Sequence, residues 1–126
     1  MTDKLEEFSK ALNEVAVQHR CYHDCIHLDL PAQFGIMEIK FWPDGDDSIQ
    51  LLEGDFHTHS EILKEEYGLP EPEAYATLVQ KIFNGELLLV EEVSPEGNVR
   101  KTIENSMSEY LKYLPGGSSY TVKNET

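Results

Sequence analysis

The chain has 126 residues, a length that predicts one domain with a hydrophobic core of its own. Its 24 acidic residues outnumber the 10 lysines and arginines, and the formal net charge is −14. This charge argues against direct nucleic-acid binding, which requires a basic face, and against binding to an anionic membrane surface. Because 40% of the residues are hydrophobic, the composition also argues against a disordered acidic tail.

The sequence predicts a cytoplasmic protein. The N-terminal residues have neither the basic nor the apolar segment of a signal peptide, and no apolar run approaches the length of a transmembrane helix. The two cysteines, Cys21 and Cys25, are too few and too close together for a secreted disulfide framework. We therefore expect both thiols to be reduced.

The first part of the chain predicts one helix followed by three strands. Apolar residues at helical spacing indicate a helix over 3–18, with Asp3 as its N-cap. Alternating polar and apolar residues indicate a strand over 26–30, which Pro31 ends, and a second strand is predicted over 36–42. A Pro-Asp-Gly-Asp turn joins the second of these to a third strand, predicted over 48–58, and so makes a hairpin.

The remainder of the chain predicts three helices, a second hairpin and a final strand. Ser106 and Glu109 form a capping box at the start of the last helix. The helices are predicted over 60–67, 72–83 and 106–114, the hairpin strands over 87–93 and 99–104, and the final strand over 120–123. Local hairpins of this kind predict a single α+β domain over 1–126, in which helices cover an antiparallel or mixed sheet built from two hairpins.

The acidic residues are concentrated in two blocks, which favour an electrostatic docking surface. Residues 44–73 contain ten acidic residues and one lysine, and residues 86–96 contain four acidic residues and no base. A solvated face that only keeps the protein soluble would have the same composition. A docking surface would attract a basic partner and raise its association rate. The predicted partner-binding residues are Trp42, Asp44, Asp46, Asp47, Glu53, Asp55, Glu61, Glu65 and Glu66.

The first of two histidine clusters extends from His19 to His27. Histidine and cysteine alternate there, so an extended strand would place all of them on one face, which suits zinc or another borderline metal. A helix end followed by a strand start would make them ordinary packing and surface residues, and because the spacing is not that of a zinc finger we favour this interpretation. A nucleophile at Cys21 or Cys25 would need a lowered thiol pKa.

The second cluster contains His57 and His59, whose spacing places both imidazoles on one face of a strand. Asp55 and Glu61 continue this period and would complete the ligand set for zinc or another divalent metal. The pair resembles the His-x-His motifs of PHP-type phosphoesterases, JAMM metallopeptidases and cupins, but the further ligands that those families use are missing. We therefore expect no cofactor, and a metal-binding protein or small metal-dependent hydrolase is an alternative.

The segment 103–114 resembles the strand-to-helix ending of SUKH-type immunity domains, and the chain resembles small acidic bacterial immunity proteins in size, acidity and element order. The resemblance implies a bacterial cytoplasmic protein that binds and neutralises a basic toxin, such as a nuclease. Because the chain has no phosphate loop, nucleophile elbow or dinucleotide motif, we expect a protein-binding module rather than an enzyme. A structural or regulatory oligomer subunit, such as a homodimer, is a further alternative.

Overall fold

The computed structural model describes residues 3–124, with side chains from residue 4 onward. Within this range the chain forms four α-helices and two antiparallel sheets, one of five strands and one of three. The predicted α+β class is confirmed, although the two hairpins belong to separate sheets. Among the described helices, none combines the length and the apolar composition needed to cross a bilayer.

The elements follow one another in an order close to the predicted one. The helices are α1 (Asp3–Glu14), α2 (Ser60–Tyr67), α3 (Glu71–Phe83) and α4 (Met107–Lys112). The first sheet contains β1 (Arg20–Cys21), β2 (Cys25–Asp29), β3 (Ile36–Phe41), β4 (Asp47–Leu51) and β5 (His57–Thr58), side by side in chain order. The second sheet contains β6 (Leu88–Val93) between β7 (Val99–Glu104) and β8 (Ser119–Val122).

One predicted helix and one predicted strand are too long, because the chain turns inside the predicted ranges 3–18 and 48–58. Helix α1 ends at Glu14 rather than at residue 18, since Ala16 adopts a left-handed conformation with φ 58° and the Val17 N–H donates back to Leu12 O at 3.0 Å. The strand predicted over 48–58 is divided into β4 and β5 by a loop at 52–56. The predicted cap at Asp3 falls outside the described side chains.

The main core lies between the first sheet and the helices α1 and α3. Burial alternates along β3 and β4 and along β2 from Ile26 onward, so that one face is mainly apolar and the other carries mostly polar side chains. Phe8 of α1 joins the layers, because its ring packs edge-on against Phe41 at 5.1 Å and lies 5.8 Å from the Tyr75 ring of α3. The inward strand residues are Ile26, Leu28, Met37, Ile39, Phe41, Ile49 and Leu51.

The loop at 52–56 connects the two sheets. The Asp55 N–H donates to Lys101 O at 2.9 Å, and Arg100 Nε donates to the Asp55 carboxylate at 2.6 Å. At Gly54 a Cβ atom would stand 2.8 Å from both Lys101 O and Leu51 Cδ1, closer than real Cβ atoms approach. The absence of a side chain at residue 54 therefore allows the loop to lie against β7.

Asp47 is a buried carboxylate at the start of β4 that binds two helices. It accepts hydrogen bonds from the N–H and the Oγ of Ser60, the first residue of α2. Lys4 Nζ of α1 lies 2.9 Å from the same carboxylate. Lys4 also lies 3.8 Å from Glu71, which begins α3. The starts of β4, α1, α2 and α3 are therefore held together by one network of charge-assisted hydrogen bonds.

We expect Asp47→Ala to lower the free energy of unfolding by about 3 kcal/mol, because it leaves the Lys4 ammonium and the Ser60 donors without their buried partner. Urea denaturation followed by circular dichroism measures this change. The control is Glu53→Ala, since Glu53 is exposed and forms no hydrogen bond within residues 3–124. That control should stay within about 0.5 kcal/mol of the parent protein. Equal losses in the two variants would contradict the anchoring role of Asp47.

We expect Tyr75→Phe to raise the free energy of unfolding by about 1 kcal/mol, because the Tyr75 hydroxyl is fully buried without a hydrogen-bond partner among the described residues. Burial, together with the nearby Asp47 charge, raises the pKa of this hydroxyl, so it stays neutral. Tyr110→Phe is the matched control, since the Tyr110 hydroxyl donates to Glu92 at 2.7 Å. The control should be destabilised in the same urea titration, and a loss at residue 75 would show that its hydroxyl is satisfied.

Candidate functional site

The structure separates the predicted partner-binding residues into three groups. Trp42, Asp44 and Asp46 lie on the turn that leads into β4. Glu53 and Asp55 lie in the loop beyond the other end of β4. Three glutamates project from α2, namely Glu61, Glu65 and Glu66.

Asp47 does not belong to an accessible surface. Only 1% of it is exposed, and its carboxylate is occupied by Lys4 and Ser60. Its inclusion among the surface residues is therefore corrected by the structure. A sequence pattern cannot distinguish Asp47 from its exposed neighbour Asp46, because the burial depends on residues far away in the chain.

The turn before β4 is held by its own side chains. The Asp44 carboxylate accepts the Asp46 N–H at 3.0 Å, as in a tight Asx turn. Trp42 is exposed, its Nε1 donates to Ser48 Oγ at 3.1 Å, and Lys40 Nζ lies 4.6 Å from its ring centroid. An aromatic side chain is thus fixed on the surface beside two carboxylates.

Helix α2 presents an exposed surface that combines three glutamates, Lys64 and apolar residues. Ile62 is 52% exposed and Leu69, just after the helix, is 37% exposed. Helical spacing places Ile62 next to Glu65 and Glu66, which lie one turn further along the helix. Within residues 3–124, no lysine or arginine nitrogen lies within 4.0 Å of the carboxylate oxygens of Glu61, Glu65 or Glu66. We call these residues the α2 surface: Glu61, Ile62, Glu65, Glu66 and Leu69.

The predicted metal residues of the second histidine cluster do not converge. The His57 and His59 rings lie 4.8 Å apart and nearly perpendicular, and His59 Nδ1 donates to the Asp47 carbonyl. Asp55 lies in the loop beyond β4, where its carboxylate accepts a hydrogen bond from Arg100 of β7. Glu61 is exposed on α2. Within residues 3–124 no third histidine, cysteine or carboxylate ligand joins the pair. The structure therefore does not bring the four predicted ligands together, because the strand ends at residue 58 and the alternation of its side chains ends there too.

The first histidine cluster is divided by a reversal of the chain at 22–24. Strand β1 pairs antiparallel with β2, with Cys21 opposite Ile26, so the alternating residues do not follow one strand. His19 instead accepts from Ser9 Oγ at 2.7 Å, and the exposed Cys21 thiol donates to the same oxygen at 3.4 Å. Only Cys25 and His27 remain together on the polar face of β2.

Cys25 and His27 are joined on that face by Glu38 of β3, a residue that the sequence analysis missed. His27 and Glu38 are direct partners across the strands, and His27 Nε2 donates to Glu38 Oε2 at 2.7 Å. Gln50 of β4 donates to Glu38 Oε1 at 2.8 Å. One ligand atom from each of Cys25, His27 and Glu38 lies within 4.8 Å of the other two. The alternation of β3 could have placed Glu38 on the outer face of the sheet. Only the strand register shows that it stands opposite His27.

The electrostatics of this cluster do not favour a free nucleophile. Burial raises the pKa of the Cys25 thiol, and the charges of Glu38 and Asp24 raise it further. Burial also raises the pKa of Glu38, but the hydrogen bonds from His27 and Gln50 outweigh that effect and lower it overall. A thiol beside an ionised carboxylate stays protonated, so a thiolate nucleophile at Cys25 is disfavoured.

A wide groove among the described residues lies elsewhere, between the ends of α1 and α3. Its volume is about 910 Å³, and its lining includes the exposed Phe83 ring and the Arg20–Asp29 ion pair. None of the predicted partner-binding or metal residues lines it.

Comparisons with protein-family models, with curated proteins and with solved structures return no match to this chain. The functional argument therefore rests on the chemistry and the geometry of the residues.

Proposed function

We propose that the protein is a binding module that docks a basic protein through the α2 surface, and that it serves as an immunity-type inhibitor of a basic toxin such as a nuclease. The observation that supports this proposal is the exposed apolar side chain of Ile62 on α2, a helix whose three exposed glutamates have no ion-pair partner within residues 3–124; Leu69, just after the helix, is exposed as well. An apolar centre with a charged rim is the usual anatomy of a protein–protein interface.

The two kinds of residue would make different contributions to binding. Complete burial of a side chain such as Ile62 contributes about 1.5–3 kcal/mol, which would stabilise the complex once it has formed. The glutamates would accelerate association with a cationic partner, mainly at low ionic strength. Because no ion pair among the described residues holds these carboxylates, none of those pairs has to break when they meet lysine or arginine side chains of the partner.

The turn before β4 extends the proposed contact area. Ser60 begins α2 and binds Asp47, which follows the turn directly, so α2 starts at the same end of the first sheet as Trp42. Tryptophan is enriched among residues that dominate binding energies at interfaces. Glu53 lies beyond the opposite end of β4, and we leave it out of the proposed area.

Neutralisation follows from the charge of such a surface. A nuclease holds its substrate with lysine and arginine side chains that contact phosphates. Carboxylates at the spacing of one helical turn would occupy those cations in place of the phosphates. The bound inhibitor would then exclude the nucleic acid by competition for the same groups.

The first test reverses the charge of the α2 surface. The purified protein is used to capture a basic protein from a lysate of its native host at low ionic strength, and the dissociation constant is measured with the identified partner. We expect the triple variant Glu61→Lys, Glu65→Lys, Glu66→Lys to weaken binding about 100-fold, because it turns attraction into repulsion. Stoichiometric parent protein should also suppress the activity of the partner if that partner is a nuclease.

The matched control is the triple variant Glu7→Lys, Glu14→Lys, Glu96→Lys, which changes the net charge equally at exposed positions outside the α2 surface. It should retain nearly the parental affinity. Equal weakening in both triple variants would mean that only the net charge matters, and failure to capture any basic protein would contradict the binding role.

The second test separates the apolar centre from the charge. Ile62→Asp makes the protein more acidic, so attraction by charge alone predicts tighter binding to the same partner. Docking on an apolar centre predicts binding weaker by about tenfold or more, measured by calorimetry. Leu111→Asp is the control, because Leu111 is similarly exposed (45%) but lies on α4. The Leu111→Asp variant should bind the partner with the affinity of the parent protein. Unchanged or tighter binding by Ile62→Asp would refute the proposed centre.

A further inference from the structure

We propose that Cys25, His27 and Glu38 form a binding site for one zinc ion on the polar face of the first sheet. The site lies on β2 and β3, away from the α2 surface, so it does not depend on the proposed docking function. It uses two residues of the first histidine cluster and one residue of the neighbouring strand.

The donor set is one that zinc prefers. Cysteine sulfur, histidine nitrogen and glutamate oxygen all bind Zn²⁺, and tetrahedral bonds of about 2.0–2.3 Å place ligand atoms about 3.3–3.7 Å apart. The three ligand atoms here already lie within 4.8 Å of one another. Small side-chain rotations thus suffice to enclose an ion. Three protein ligands leave the fourth position for water or for an external ligand.

The strands hold the three ligands in place before an ion arrives. His27 faces Glu38 directly across the antiparallel pair, and Cys25 precedes His27 by two residues, so all three point to the same face. Gln50 holds the second carboxylate oxygen of Glu38, which fixes its orientation in the way that outer hydrogen bonds orient metal ligands. Cys25 is buried, and the side chains of His27 and Glu38 are only 19% and 14% exposed.

The local charge favours a dication. Glu38 and Asp24 contribute two carboxylate charges near the thiol. They outnumber the ammonium of Lys40, which stands opposite Cys25 in the strand register and lies 3.9 Å from Asp24. On binding, the Cys25 thiol releases its proton to solvent and forms the S–Zn bond. The hydrogen bond between His27 and Glu38 breaks at the same time. The neutral imidazole then carries its proton on Nδ1, so that Nε2 and the Glu38 carboxylate are both free to bind the ion. The His57–His59 pair lacks such a third ligand within residues 3–124.

The test uses the full chain, freed of metal with a chelator and titrated with ZnCl₂ in competition with a chromophoric chelator. We expect one equivalent of Zn²⁺ per chain. Substitution with Co²⁺ should produce a sulfur-to-cobalt charge-transfer absorption, which reports the thiolate ligand directly. Cys25→Ser and His27→Ala should each weaken zinc binding by more than about 100-fold, and Gln50→Ala by about tenfold, because outer-sphere partners contribute less than ligands.

The sequence supplies matched controls four residues upstream of the proposed ligands. Cys21→Ser and His23→Ala remove the same residue types from exposed positions and should leave zinc affinity unchanged. Circular dichroism and urea unfolding verify that the ligand variants are folded. The absence of a thiolate band in the Co²⁺ protein would overturn the site without any variant. Loss of binding in Cys21→Ser, or in His57→Ala with His59→Ala, would also overturn it.

Discussion

A carboxylate that is removed from water has to receive hydrogen bonds or a counter-ion inside the protein, and Asp47 obtains both by drawing three elements together. Lys4 approaches it from α1, and Ser60 approaches it at the first turn of α2. The hydrogen bond from the Ser60 N–H to the Asp47 carboxylate therefore fixes the start of α2 against the first sheet. The exposure of Ile62 and of its flanking glutamates follows from that placement.

The two faces of the first sheet differ in burial and in chemistry. The alternation of β2, β3 and β4 buries one face against α1 and α3, and stability comes mainly from that side. The opposite face contributes little to the core and retains His27, Glu38 and Gln50 in a hydrogen-bonded row. Polar side chains can occupy this second face without weakening the core, so the cluster of Cys25, His27 and Glu38 and the buried apolar face lie on the same strands.

Local patterns predicted what local interactions determine. Alternation identified the strand that now forms β2, turn residues identified the hairpin of β6 and β7, and the Ser106 side chain does accept the Glu109 N–H. Contacts between distant residues were not predictable in this way. The interruption at 52–56 depends on Gly54 approaching Lys101, and the position of Glu38 in the cluster depends on the β2–β3 register. Neither of these two contacts produces a repeating pattern of polar and apolar residues that could be recognised in the sequence.

The shortness of the outer strands affects how the protein behaves at high concentration. Both outer strands of the first sheet, β1 and β5, contain only two residues, so few unpaired backbone groups are offered to a strand of another molecule. On β7, the loop at 52–56 takes up the Lys101 carbonyl. Within residues 3–124, the first sheet thus offers little template for cross-β growth at either edge, and the longer outer strands of the structure are confined to β7 and β8 of the second sheet.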